Sequence, residues 1–212
     1  MMSTDQMENN FFNRTEVNVD IAYRCALDCP RCQRWRVYRK HNKKVPGYDM
    51  TMTEFKRIVS HFTEVSFCGQ YSDPIHHPKF IDFLKLCKDK GIKASVHNAS
   101  SAKSEDWYIQ AFKANPNAQW FFGIDGLPHQ SHQYRINQDG VKLYNIMLEA
   151  KKYLKTKPIW QYIIFNYNEN HVEEAKKMAD DDDVYFMLVR SSRWDRDDPL
   201  MPTLKEYKLN RL

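Results

Sequence analysis

The stretch "VNVDIAYRCALDCPRCQR", residues 17–34, sets the terms for the rest of the chain. Its first seven residues alternate and are rich in β-formers, so residues 17–23 are expected to form a strand. That strand delivers the chain into a loop carrying Cys25, Cys29 and Cys32, which are three of the five cysteines held within eight residues.

Outward from this point the same order recurs. Thr51 or Thr53 can cap a helix in which Phe55, Ile58, Val59 and Phe62 form one apolar stripe. A strand is expected over 64–69, then a helix opened by Pro78 and running to Lys90, with Phe80, Phe83, Leu84 and Leu86 inward and Gly91 as its stop. Strands over 92–98, 118–124, 159–166 and 184–190 alternate with helices over 101–115, 141–155 and 170–180. Alternation of this kind implies parallel strands joined by right-handed helical crossovers, an α/β fold that is an open sheet or a partial barrel. Such folds place their chemistry at the C-terminal ends of the strands. The polar clusters fall there: the cysteine loop, "QYSDP", "HNASS", "DGLPHQ", "NYNEN" and "RSSRWD". The expected organisation is a polar extension over 1–16, the barrel domain over 17–194, and a tail over 195–212 with no core of its own.

Composition fits one large domain. Of 212 residues, 42% are apolar and 14% aromatic, enough for a sizeable core. A charged fraction of 28% and a mean hydropathy of −0.73 argue for a soluble exterior and against a membrane span. The N-terminus lacks the basic and apolar regions of a secretory signal, so the expected compartment is the cytoplasm, where clustered cysteines point to metal or redox chemistry. Charge is uneven. Arg31, Arg34, Arg36, Arg39, Lys40, Lys43 and Lys44 follow the cysteines without an acid among them, while Asp180 to Asp183 form an opposite pole read as a solvated face. The basic run admits three readings: a solvated loop, a docking face for an acidic electron donor, or a contact for phosphate or nucleic acid.

The spacing C-x-x-x-C-x-x-C lets a short loop wrap three thiolates around one face of an inorganic cluster. An iron-sulfur cubane normally takes four cysteines, so three leave one iron open to a small chelating ligand. The alternative is structural zinc, which needs four ligands; no second pair at zinc-finger spacing is present, and His41 is the candidate for a fourth. That alternative would make the chain a zinc-stabilised nucleic-acid-binding module. Of the other cysteines, Cys68 and Cys87 read as buried packing, His76 and His77 as loop or cap groups, and Trp107, Trp120 and Trp160 as core.

These residues resemble the radical S-adenosylmethionine (SAM) enzymes, whose hallmark is C-x-x-x-C-x-x-C directly after the first strand of a partial (β/α)6 barrel. The resemblance covers about residues 17–190. It implies a 4Fe-4S cluster on Cys25, Cys29 and Cys32, with SAM chelating the unique iron. It also implies reductive cleavage of SAM to a 5'-deoxyadenosyl radical that abstracts hydrogen from a substrate, a peptide side chain or a nucleotide-like small molecule. "FCGQYSDPIHHPKF" resembles the family's motif after strand two, implying that backbone carbonyls around Gln70, Tyr71 and Ser72, together with Asp73, accept from the SAM ammonium. "GIDGLPHQSHQYR" resembles a segment in which Arg135 pairs with the SAM carboxylate and Asp125 faces the pocket. Asn98 and Asn166 fall where the family touches ribose and adenine. Three positions depart from the pattern: Arg31 stands where an aromatic residue often packs on adenine, Ser72 where the nearest branch has Gly, and Gly123 where it has Ser. Ser191, Ser192 and Arg193 are placed to contact SAM or an anionic substrate. The resemblance implies a minimal one-cluster enzyme served by a flavodoxin- or ferredoxin-like donor, or else a SAM-binding homologue without catalysis.

Overall fold

In the computed structural model, which describes residues 14–41, 47–191 and 197–208, six strands form one parallel sheet in sequence order. They are β1 (Glu16–Asn18), β2 (Glu64–Phe67), β3 (Lys93–Asn98), β4 (Gln119–Gly123), β5 (Ile159–Ile163) and β6 (Tyr185–Val189). The helices are α1 (Gln33–His41), α2 (Met52–Ile58), α3 (Phe80–Asp89), α4 (Glu105–Ala114), α5 (Gly140–Ala150) and α6 (Val172–Asp181). Every neighbouring pair is parallel, with Val65 opposite Ala94 in one ladder and Phe121 opposite Ile159 in another. This is the partial (β/α)6 barrel that the family resemblance implies, one of the two forms that the alternation allows.

The two faces of the sheet differ. On β4 and β5, Trp120, Phe122, Trp160 and Tyr162 are buried, while the alternate residues Phe121 and Gln161 are half-buried. The buried set meets Phe83 and Leu84 of α3, Tyr108 and Phe112 of α4, and Leu143 and Met147 of α5 in one core. Aromatic edges interlock within it, Phe112 lying 4.8 Å from Trp120 at 84°. The half-buried set faces the barrel interior, so the fold packs one side and leaves the other for ligands.

Local sequence accounts for most boundaries. Thr51 caps α2 in a capping box, its Oγ1 accepting from Glu54 N while Glu54 accepts from Thr51 N. Ser104 and Asp139 cap α4 and α5 with a single side-chain bond each, accepting from Trp107 N and Lys142 N.

Four expectations change. The first strand is shorter than residues 17–23, because after Val19 N donates to Ser66 O the chain leaves the sheet. The basic run is not a loop over residues 33–41: Trp35 N and Arg36 N donate to Cys32 O and start α1 there. Lys43 and Lys44 lie outside the described residues. Pro78 precedes rather than opens α3, and Pro74 begins a short 3-10 turn that Asp73 caps. The tail, expected to have no core of its own, is tied to the barrel over its described residues. The Glu169 carboxylate accepts from Thr203 N and Leu204 N at 2.7 and 3.0 Å, and Leu200 packs beside Cys29 and Phe165. Among the described residues no helix is long and apolar enough to cross a membrane.

Candidate active site

At the C-terminal ends of the strands lies a cleft of about 350 Å³. Its walls come from the loop after β1, the turn after β2, the ends of β3, β4 and β5, and residues 189–191 at the end of β6. Cys25, Cys29 and Cys32 line it, all as free thiols, with Cys29 buried and the other two half-buried. The cysteine loop is shaped by its own backbone, Cys32 N donating to Cys29 O at 3.1 Å, and by the opposite wall, Ala26 N donating to His76 Nε2 at 3.2 Å. Burial pushes the Cys25 thiol up to about 12 and the Cys29 thiol up to about 11, Arg135 opposing the latter. Lone thiolates are therefore disfavoured here, and a cationic centre would offset their cost. Among the described residues no three His, Cys, Asp or Glu side chains share a single-ion centre. In an iron-sulfur cubane each thiolate binds its own iron, so three thiols lining one cleft suit that group. The side chain of His41, the candidate fourth zinc ligand, lies outside the described residues.

Opposite the cysteines is the turn after β2. Gly69 makes it possible: a Cβ there would stand 1.8 Å from Ser72 O, a backbone atom that cannot step aside. Gln70, Tyr71, Ser72 and Asp73 all line the cleft. Tyr71 O is occupied, accepting from Arg34 Nη1 at 2.8 Å. Asp73 is buried, and its Oδ2 accepts from Ala99 N and Ser100 N, both at 2.9 Å, while Oδ1 accepts from Ile75 N at 3.3 Å. It thus ties the β2 turn to the loop after β3. Asn98 also braces that loop, its Nδ2 donating to Tyr108 Oη at 3.0 Å and its Oδ1 accepting from Ser100 N at 3.2 Å.

Arg135 reaches the cleft from the loop after β4, its Nε 2.7 Å from Asp125 Oδ2. Asp125 Oδ1 accepts from Ile163 N at 2.9 Å. Burial raises the Asp125 carboxyl while Arg135 holds it down. Burial would lower Arg135, but Asp125 and Cys29 outweigh it and keep it charged. Gly123 explains its own departure from the family pattern: a Cβ there would lie 3.0 Å from Arg135 Nη2, in the space the guanidinium needs.

Three expected site residues are arranged differently. Asp125 does not line the cleft; it is fully buried beneath it and committed to Arg135. Arg31 turns away and pairs with Asp198 of the tail at 2.5 Å. Asn166 also serves the tail, its Nδ2 donating to Pro199 O at 2.5 Å and its N donating to Leu200 O at 3.1 Å. Ser191 lines the cleft, whereas Ser192 and Arg193 lie outside the described residues.

The cleft and the shell behind it also hold residues that the sequence reading left out. Asp20, on the way from β1 to the cysteines, accepts from Gln70 N at 3.0 Å, Tyr71 N at 3.3 Å and Ser72 Oγ at 2.9 Å. His97, Phe121 and Gln161 form a floor, with the His97 ring stacked on Phe121 at 4.2 Å and its Nδ1 3.4 Å from Gln161 Oε1. Cys68, expected in the core, is half-buried and lines the cleft, while Cys87 is fully buried as expected. Strand alternation marked the polar floor residues as one face but not as the inner face.

No protein-family model and no curated protein sequence matches the chain. Solved structures do. Streptococcus suis SuiB bound to S-adenosylmethionine superposes with a TM-score of 0.72 at 10% identity, covering 93% of this chain and 46% of SuiB. SuiB bound to its precursor peptide SuiA gives 0.68 at 10%, covering 86% and 41%. Methylornithine synthase (PylB) gives 0.60 at 14%, covering 94% and 63%. The chain spans under half the length of the SuiB chains. These neighbours are radical SAM enzymes, and the chain has the fold of the radical SAM superfamily.

Proposed function

We propose that the chain is a radical SAM enzyme carrying a 4Fe-4S cluster on Cys25, Cys29 and Cys32. The observation that carries this reading is that all three cysteines of C-x-x-x-C-x-x-C line the same cleft as the β2 turn and Arg135. When bound, cluster and SAM together would supply a 5'-deoxyadenosyl radical that abstracts hydrogen from a substrate.

The chain's own residues bind, orient and exclude water. Arg135, held by Asp125, presents a fixed cation for the SAM carboxylate. Backbone carbonyls of the β2 turn accept from the SAM ammonium. Asp73 and Asn98 act mainly as braces, since their oxygens already hold backbone N–H groups. Leu27, Tyr134, Phe165 and Leu200 pack together around Cys29 and keep that wall apolar, which favours a reactive radical over side reactions with water. The floor of His97, Phe121 and Gln161 serves the substrate, a peptide side chain or a nucleotide-like small molecule; the peptide bound to SuiB supports the former. A flavodoxin- or ferredoxin-like donor docks near the basic helix α1, where Arg36 is exposed.

The test is titration of anaerobically reconstituted, dithionite-reduced protein with SAM, followed by electron paramagnetic resonance. The expected result is about four irons per chain and a reduced-cluster signal that changes on SAM addition. One zinc per chain and no iron signal would contradict it.

A further inference from the structure

Asp20 joins the two halves of the cleft. It lies five positions before Cys25, yet its carboxylate holds the turn after β2 through Gln70 N, Tyr71 N and Ser72 Oγ at 3.0, 3.3 and 2.9 Å. Two consecutive backbone N–H groups on one carboxylate fix the planes of two consecutive peptides. In a trans peptide the N–H and C=O point in opposite directions, so anchoring Gln70 N and Tyr71 N on Asp20 turns the carbonyls of Gly69 and Gln70 to the other side. Gly69 and Gln70 both line the cleft. The next carbonyl, Tyr71 O, is taken by Arg34 Nη1, and the Ser72 carbonyl curls back over Gly69, where only glycine leaves room for it.

From this geometry we propose that Asp20 is a positioning residue for SAM. It fixes the turn so that the carbonyls of Gly69 and Gln70 are already aimed into the cleft as acceptors for the cosubstrate's ammonium. The proposal rests on the radical SAM reading above and narrows it: the acceptors are Gly69 and Gln70 rather than Gln70 to Ser72, and a residue outside the cleft wall sets their direction. An ordered acceptor pair binds a cation more tightly than one that must be ordered on binding, because the ordering cost is met before the ligand arrives.

The experiment compares native protein, Asp20→Ala and Asp20→Asn, each with reconstituted cluster, by SAM equilibrium dialysis and by hydrogen exchange in the absence of SAM. Asp20→Ala is expected to raise the SAM dissociation constant about tenfold, because the turn must then be ordered as SAM binds. It should also speed exchange at the Gln70 and Tyr71 amides, with iron content and melting temperature held. Asp20→Asn retains one acceptor oxygen and should fall between. KM for SAM should rise with kcat little changed, a split that general loosening of the fold does not produce. If native protein binds SAM and both variants bind it equally well, the positioning role is overturned while the radical SAM reading stands. If native protein with its cluster binds no SAM at all, that reading falls and the proposal with it.

Discussion

The carboxyl group of Asp73 is fully buried, and burial pushes it from 3.8 up to about 6 against the pull of three backbone N–H groups. A carboxyl whose pKa is higher in the folded than in the unfolded chain adds stability that is full below about 3.8 and is lost as pH rises through about 6. The stability of native protein relative to Asp73→Asn is therefore expected to fall between pH 4 and pH 7, measured as the difference in melting temperature across that range. A difference independent of pH would contradict the burial account. At this scale sequence legibility was uneven. The cysteines were readable because their chemistry depends on spacing within one loop. Asp20 was not, because it sits in a strand-like pattern while its partners lie some 50 positions away. Arg31 and Asn166 were assigned to the cosubstrate by analogy, and the tail that claims them carries no sequence signal of its own.

Helices and strands of this chain end where local chemistry ends them. Thr51 and Glu54 cap α2 reciprocally, and the resulting helix positions Phe55 to stack on Phe83 of α3 at 4.4 Å. Thr51→Ala is expected to cost about 1 kcal/mol in chemical denaturation, with no change in iron content, because α2 stands behind the sheet rather than in the cleft. Caps and apolar stripes made the helices legible to within a few residues. The beginning of α1 was hidden by its charge: arginine and lysine form helices well, so a basic run reads as solvated without reading as non-helical. The shortness of β1 was hidden for the opposite reason, since Ile21 and Ala22 are buried outside the sheet and keep a strand-like pattern after pairing has stopped.

On the scale of the whole molecule, the sheet solves two problems with its two faces. Period-two alternation gives one face to the aromatic core, where Trp120 and Trp160 are fully buried, and leaves the other to a cleft of about 350 Å³. The order of strands follows from short crossovers in a parallel fold, so the parallel α/β class was legible from alternation, while the choice of a partial barrel over an open sheet came from the family resemblance around the cysteines. Which polar side chains line the interior was not, because alternation separates two faces without naming the inner one; His97 and Gln161 emerged only when the sheet curved.

The central claim is that Cys25, Cys29 and Cys32 hold a cluster that leaves SAM a place to bind and be cleaved. It is tested most directly by reducing anaerobically reconstituted protein with dithionite in the presence of SAM and measuring 5'-deoxyadenosine by chromatography. Native protein is expected to form it and Cys29→Ala to form none, since a missing thiolate removes one of three cluster ligands. Equal product from both proteins, or none from a native protein that carries its full iron, would contradict the account.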